Sequence, residues 1–417
     1  MTAPADLRAI NDADVYKGER LAATLTRDGD TVVFRYEPDY LADSVAPDVA
    51  HTLPRSAEPV IATAGAVPPF FAGLLPEGVR LRAIATGTRT SEDDHFTLLL
   101  AVGQDTIGDV RVVPRGQPPR VPSPVFDDTR PPADLSAVFA SATSTRLDEL
   151  DRIALPGVQV KVSADLISTP VRTARGPAIL KLNPPGEYPC LVENEHFFLT
   201  MAADCGLGVP NHTIIEDKRG QTGLVVSRFD RIPGAGGEPV PLAQEDACQL
   251  LGAYPAAKYR LKTEQIARAI ADVVAAGDGS RQLALRRVME LVAFSYLIGN
   301  GDLHGKNFSV RQAPAGFWEV TPAYDLLTTQ PYLNWRDPMA LSFYGRANRL
   351  DRDHFTQSGE RLGIPRAAVT SALDRICDTA PRWIDRLGEI GFDTPETERL
   401  AAMMRQRVTE LGRARAS

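Results

Sequence analysis

The sequence has few cysteines and no long apolar run, and these absences exclude several classes of protein. Its 417 residues include four cysteines, which are widely spaced and form no C-x-x-C pair. This usage argues against a disulfide framework and against a zinc knuckle. No stretch approaches the ~18 consecutive apolar residues of a membrane-spanning helix, and the first residues lack the charged segment and apolar core of a secretory signal. We therefore expect a cytoplasmic protein with no membrane contact.

An excess of positive charge is also missing. The formal net charge is −7 and the isoelectric point is near 5.5, so we do not expect the whole surface to bind nucleic acid non-specifically. Hydrophobic residues make up 43% of the chain, which is ample for large buried cores. At roughly 150 residues per domain, the length predicts two or three domains.

Local patterns divide the chain into three predicted regions. Residues 1–115 are predicted to form a β-rich subdomain, residues 116–240 a small-lobe-like nucleotide-binding region, and residues 241–417 a helical catalytic lobe. The proline-dense stretch 114–132 is a candidate linker. This order predicts an α+β fold. It is also the order of the two lobes of a protein kinase, which the order alone does not establish.

Within these regions, several elements have clear signals. A hairpin is predicted from strands at 15–27 and 31–36, because Asp28-Gly29 is a favoured tight turn. The residues from 281 to 298 repeat apolar positions with helical spacing, and Gly299-Asn300-Gly301 should end that helix. Further strands are predicted at 178–182 and 222–227, and a further helix at 192–205.

The segment most suggestive of chemistry follows the 281–298 helix and reads GDLHGKN. Asp302 and Asn307, five residues apart, match the spacing of a kinase catalytic loop, where the acid orients or deprotonates the attacking hydroxyl and the amide binds Mg²⁺. Asp325 follows 18 residues later, where a second metal-binding carboxylate is expected. The alternative for the loop alone is a polar turn that caps a helix.

The upstream region should hold the nucleotide. Lys181 lies in the apolar run AILKL, either as a phosphate-contacting lysine or as a surface lysine on an edge strand. Glu195, on the next predicted helix, is its candidate partner. The segment 225–231 is a candidate hinge for adenine, from which Asp230 could reach the ribose, or else a plain charged strand end. The loop LPGVQVK, which contains Gly157, could cover phosphates with its backbone N–H groups.

Taken together, these segments resemble the HipA family of toxin kinases from bacterial toxin–antitoxin operons. The matching stretches run in family order over about residues 10–340, and they are GLLPEG, AVGQDTIGDV, LPGVQVK, AILKL, Asn194-Glu195, SRFDR, GDLHGKN and TPAYDLL. The resemblance implies a serine/threonine protein kinase that uses ATP and Mg²⁺. It also implies a helix-turn-helix antitoxin partner of the HipB type, DNA contact only through that antitoxin, and a protein substrate such as an aminoacyl-tRNA synthetase.

The predicted site residues fall into three groups. The catalytic candidates are Asp302, His304 and Lys306; the nucleotide-binding candidates are Gly157, Gln159, Lys161, Lys181, Glu195, Arg228, Phe229 and Asp230; and the metal-binding candidates are Asn307 and Asp325. The resemblance implies that Asp302 is the base, that Lys181 contacts the phosphates and that Phe229 belongs to the hinge.

The sequence departs from the family pattern at two positions. Ala154 stands where members carry a serine whose autophosphorylation switches activity off, so we hypothesise that this chain is not silenced there. Ser227 replaces a commonly acidic hinge residue. Two other functions stay open at this point: a small-molecule kinase of the aminoglycoside or choline type, and a non-catalytic module that seats an antitoxin on DNA.

Overall fold

The computed structural model describes residues 6–120, 134–142, 167–173, 176–183, 188–234 and 238–412, and these form two compact units. Among the described residues, the first unit contains 6–182 and 215–255, and the second contains 183–214 and 256–412. The helix from 191 to 204 thus belongs to the second unit, although the predicted nucleotide-binding region includes it. The three-part division stays a prediction.

The first unit is rich in β-structure. Its first five strands form an antiparallel sheet of order β4-β3-β2-β1-β5. The strands are β1 (Asp12–Lys17), β2 (Arg20–Asp28), β3 (Thr31–Tyr36), β4 (Val60–Ala62) and β5 (Val110–Pro114). The helices along this part of the chain are α1 (Pro38–Ala42), α2 (Pro69–Gly73), α3 (Gly78–Thr88), α4 (His95–Val102) and α5 (Leu135–Ala142).

The predicted hairpin is partly confirmed. Strands β2 and β3 pair around the turn after Asp28, as the Asp-Gly signal indicates. The prediction of one strand over 15–27 is wrong, because the chain reverses at Gly18 and gives two paired strands, β1 and β2. Gly18 has a φ of +59°, which glycine adopts readily and most other residues avoid.

A second sheet, of order β6-β7-β9-β8, contains the strand with Lys181. Its strands are β6 (Ile167–Thr173), β7 (Gly176–Leu182), β8 (His212–Glu216) and β9 (Thr222–Ser227). The remaining elements up to residue 250 are β10 (Arg231–Pro233), β11 (Pro239–Pro241), β12 (Gln244–Asp246) and α7 (Ala247–Leu250). Strand β7 is central because it pairs with both β6 and β9.

The second unit is mainly helical. Its elements are α6 (Leu191–Asp204), α8 (Thr263–Ala276), α9 (Arg281–Ile298), β13 (Ser309–Gln312), β14 (Trp318–Val320), α10 (Arg352–Arg361), α11 (Arg366–Ile384) and α12 (Thr394–Leu411). Helix α9 has the predicted bounds and packs against α8, α11 and α12. In the described part of the chain, no helix is both long and apolar enough to span a membrane.

One buried acid in the first unit is poorly satisfied. The Glu245 side chain, on β12, is buried, and its Oε1 accepts a hydrogen bond from the His51 backbone N–H at 2.8 Å. Its Oε2 meets no hydrogen-bond donor among the described residues. Burial raises the pKa of Glu245 to about 7, with the His51 bond acting in the opposite direction.

This arrangement makes a pH-dependent stability prediction. Because the folded-state pKa lies above the ordinary value of 4.5, the ionised carboxylate destabilises the fold as pH rises from about 4.5 through 7, by at most about 3 kcal/mol. Glu245→Gln should therefore raise the melting temperature at pH 8 and leave it nearly unchanged at pH 4.5. The same change at exposed Glu92 should leave the melting temperature nearly unchanged at both pH values. A pH-independent effect of Glu245→Gln would contradict the argument.

Candidate active site

The candidate site begins at the C-terminal end of helix α9, where the chain turns abruptly. Gly299 takes a left-handed conformation, with φ at +77°, and ends the helix. Asn300 then fixes the following turn, because its Oδ1 accepts from the backbone N–H of Asp302 at 2.9 Å and its Nδ2 donates to the carbonyl of Asp325 at 3.3 Å. At Gly301, a Cβ atom would collide with the carboxylate of Asp337. Glycine is therefore required at position 299 by the left-handed backbone and at position 301 by the lack of space for a side chain.

The candidate base, Asp302, is held from several sides. Its side chain is 1% exposed, and its Oδ1 accepts a hydrogen bond from the hydroxyl of Tyr259 at 2.6 Å. Its carbonyl accepts from the Asn307 side-chain Nδ2 at 2.9 Å, which closes the loop on itself. The carboxylate therefore has one oxygen engaged by a phenol in a site where water is scarce.

The metal-binding candidates present suitable atoms. Because Nδ2 of Asn307 points to the carbonyl of Asp302, its Oδ1 is the atom left to face a cation. Asp325 is half-buried and has a φ of +54°, a conformation that is uncommon for a non-glycine residue and that clusters at functional sites. Mg²⁺ takes oxygen ligands and is held by one or two protein groups together with phosphates and water. An amide oxygen and one carboxylate fit that requirement.

The two other catalytic candidates lie in the same loop. His304 is 3% exposed, and its ring meets that of Tyr259 edge-to-face, with centroids 5.1 Å apart. Lys306 is also buried, and its carbonyl accepts a hydrogen bond from the Tyr324 hydroxyl at 2.7 Å. Since Tyr324 directly precedes Asp325, this bond joins the loop to the segment that carries the second acid.

Helix α6 is fixed to that segment by Asn194. Its Nδ2 donates to the carbonyl of Thr328 at 2.9 Å, and its Oδ1 accepts from the N–H of the same residue at 3.0 Å. Glu195, next on the helix, is 1% exposed. The sequence indicated Glu195 but gave Asn194 no role. The buried amide needs partners, but Asn194 lies in the polar stretch ENEH, where no local signal indicates its burial.

Lys181 belongs to the first unit. It lies on the central strand β7, opposite Ser168 and Leu224, and is 8% exposed. The alternative of a surface lysine on an edge strand is therefore wrong. Lysine is almost never this deeply buried unless it is paired, and the contact of Lys181 with phosphates stays a prediction.

The charged hinge candidates form a buried ion network in the first unit. Asp230 is 2% exposed and accepts from Arg228 at 2.8 Å, from Arg231 at 2.7 Å, and from the N–H of Gly108 at 3.0 Å. Asp105 pairs with both arginines. Burial alone would raise the pKa of Asp230, but attraction by the two arginines outweighs it and holds the pKa well below its ordinary value.

These contacts favour a structural role for Arg228 and Asp230 over a contact with nucleotide. Both side chains are already engaged within the protein, whereas Phe229 between them is half-buried. The predicted contact of Asp230 with the ribose thus has no support in this geometry. The remaining candidates Gly157, Gln159 and Lys161, and the Ala154 position, lie outside the described residues.

A substitution separates the two roles of Asp230. Asp230→Asn leaves two buried arginines with one fewer counter-charge, which costs about 3–5 kcal/mol and should lower the melting temperature by roughly 10 °C. Asp385→Asn, which breaks an exposed pair with Arg405, should change stability by less than about 1 kcal/mol. An Asp230→Asn protein with unchanged melting temperature but weakened binding of ATP would instead favour the ribose contact.

Tyr259 is a candidate functional residue that the sequence did not reveal, because it lies 43 positions before Asp302. Tyr259→Phe removes one hydrogen bond to a carboxylate and keeps the ring packing. We expect phosphoryl transfer to slow by about tenfold, the equivalent of roughly 1.4 kcal/mol, with KM for ATP unchanged. Steady-state kinetics would measure this, and Tyr16→Phe in the β-rich sheet is the control. An unchanged kcat would exclude a role for the phenol.

Comparison with known proteins identifies relatives over nearly the whole chain. Residues 13–113 match the family model described as HipA N-terminal domain, and residues 153–384 match the HipA-like C-terminal domain. Y4dM of Sinorhizobium fredii is 31% identical over 405 residues, 90% of each protein. The serine/threonine-protein kinase toxin HipA of Shewanella oneidensis is 27% identical over 406 residues, 87% of this chain and 89% of that protein.

Among solved structures, the Shewanella oneidensis complex of HipA, HipB and operator DNA contains a chain with a similar fold. The TM-score is 0.73 at 22% identity, and the alignment covers 96% of both chains. This likeness confirms the predicted α+β fold, with a β-rich N-terminal part and a helical C-terminal part.

Proposed function

Because the chain belongs to the HipA family of serine/threonine kinases, we propose that it is the toxin of a toxin–antitoxin pair and phosphorylates a cellular protein. The observation that carries this proposal is the intact arrangement of Asp302, Asn307 and Asp325 on one continuous network of hydrogen bonds in the second unit. A member that only binds an antitoxin would have no need to keep these three groups.

Each residue of this set has a proposed role in phosphoryl transfer. Asp302 orients the hydroxyl of the substrate and accepts its proton, while Tyr259 holds its carboxylate through Oδ1. Asn307 and Asp325 hold Mg²⁺, which neutralises charge on the phosphates of ATP. From the family resemblance we also assign Lys181 to the phosphates, and its pairing with Glu195 stays a prediction from the sequence.

The partners are proposed from the family. The related Shewanella oneidensis structure contains HipA, HipB and operator DNA, and we extend this to a helix-turn-helix antitoxin for the present chain. Contact with DNA only through that antitoxin is consistent with the net charge of −7. The substrate class taken from the family resemblance is an aminoacyl-tRNA synthetase, whose phosphorylation would arrest translation.

The experiment is transfer of label from γ-labelled ATP, with Mg²⁺, into the proteins of a host-cell lysate. We expect one or a few labelled bands, and a loss of at least about 100-fold in Asp302→Asn, which removes the proton acceptor and keeps the side-chain volume. Exposed Asp39→Asn in the β-rich subdomain is the matched control and should retain activity.

The alternative outcomes discriminate between functions. ATP consumption that depends on added metabolites, without a labelled protein, would favour a small-molecule kinase. Binding of ATP without any transfer, identical in the protein and in Asp302→Asn, would favour the non-catalytic module. Removal of Mg²⁺ with a chelator should abolish transfer, and activity that persists in the chelator would contradict the roles given to Asn307 and Asp325.

A further inference from the structure

Thr329 makes hydrogen bonds that no known role of the site explains. It lies four residues after Asp325 and is completely buried. Its Oγ1 accepts a hydrogen bond from the backbone N–H of Gly301 at 2.9 Å, and its own N–H donates to the carbonyl of Gly299 at 3.2 Å. Gly301 directly precedes Asp302, so Thr329 contacts the backbone on the N-terminal side of the candidate base.

The hydroxyl of Thr329 is oriented by an acid. Its Oγ1 lies 2.5 Å from Oδ2 of Asp337 and 3.2 Å from the carbonyl oxygen of Gly299. A hydroxyl has one proton, and the shorter contact to a charged acceptor is the stronger one. With the proton directed to Asp337, a lone pair of Oγ1 faces the N–H of Gly301.

The same acid also explains the glycine at position 301. The carboxylate of Asp337 occupies the space that a Cβ atom on Gly301 would need. Gly301 is therefore in direct contact with Asp337 and hydrogen-bonded to Thr329. Residues 329 and 337 together restrict the backbone next to Asp302 by one directional bond and by close packing.

We propose that Thr329 is a positioning residue for phosphoryl transfer, which fixes the backbone of Gly301 and Asp302 while Asp337 orients its hydroxyl. This proposal rests on the proposed kinase function. Asp302 itself is bonded to Asn300, Asn307 and Tyr259. Thr329 adds a hydrogen bond to the preceding residue, Gly301, and so fixes the path of the chain after helix α9. The consequence is kinetic, because a misplacement of about 1 Å at a catalytic group can cost roughly 100-fold in rate.

The test compares Thr329→Val with Thr329→Ser. Valine has the same shape but leaves the N–H of Gly301 buried without its acceptor, a cost of about 1–3 kcal/mol that a shift of the loop can relieve. We expect kcat to fall by roughly 10- to 100-fold, with KM for ATP within about twofold. Serine keeps the oxygen and should retain activity within about threefold. Thr356→Val, at a buried threonine bonded within helix α10, is the control for threonine loss.

A second variant and a second readout guard against a general folding effect. Asp337→Asn keeps the volume and weakens the contact that orients the hydroxyl, so kcat should fall by about 3- to 10-fold. Amide hydrogen exchange in a peptide covering residues 299–303 should be faster in Thr329→Val than in the unsubstituted protein and in Thr329→Ser, with exchange elsewhere unchanged.

The outcomes separate this proposal from the proposed function. A kcat for Thr329→Val within about twofold of the unsubstituted value, or equal losses for the valine and serine variants, would overturn the positioning role. If the unsubstituted protein transfers no label, the kinase proposal fails together with the positioning role. The exchange measurement would then still show whether the bond to Gly301 exists, so the two failures are distinguishable.

Discussion

Hydrogen bonds at residues 328 and 329 hold together three segments that are distant in the sequence. Asn194 of helix α6 binds both backbone groups of Thr328, and Thr329 binds the turn at Gly299 and Gly301. Residues 328 and 329 thereby fix both the position of α6, which carries Glu195, and the position of the turn that carries Asp302. Glu195 and Asp302 lie on different elements of the second unit but are held by the same segment. Movement of the segment after Asp325 would therefore displace both.

The site concentrates polar groups where water is scarce. Asp302, His304, Lys306 and Asn307 are all less than 8% exposed, and burial of such groups is unfavourable unless they are paired. Several hydrogen bonds of the loop and of the segment around Asp325 join a side chain to a backbone carbonyl. Because a backbone carbonyl cannot change rotamer, it holds the amide of Asn307 more rigidly than another side chain would. This arrangement suits a reaction that depends mainly on positioning and charge.

The sequence predicted those parts of the fold and site that have local signals. The end of α9 and the turn after Asp28 were readable because glycine in a tight turn is encoded within a few residues. The Asp302–Asn307 pair was recognised by its spacing. Tyr259, Asn194 and Thr329 were not, since their partners lie 43, 134 and 28 residues away, and no local pattern records such contacts. For the same reason the sequence could not place Lys181 on a central strand. Nor could it reveal that Asp230 accepts hydrogen bonds from Arg228, Arg231 and Gly108.

The backbone at Asp325 indicates how the proposed metal-binding carboxylate is held in place. A left-handed conformation at a non-glycine residue costs about 1 kcal/mol or more and persists only when the surroundings enforce it. Here the enforcing contacts flank the residue: Asn300 donates to its carbonyl, Tyr324 before it is bonded to Lys306, and Thr328 after it is held by Asn194. The direction in which the Asp325 side chain leaves the backbone is thus set by the protein alone. The free energy of strain at this residue is already offset by folding. A cation arriving with the nucleotide would therefore have to order little of the chain.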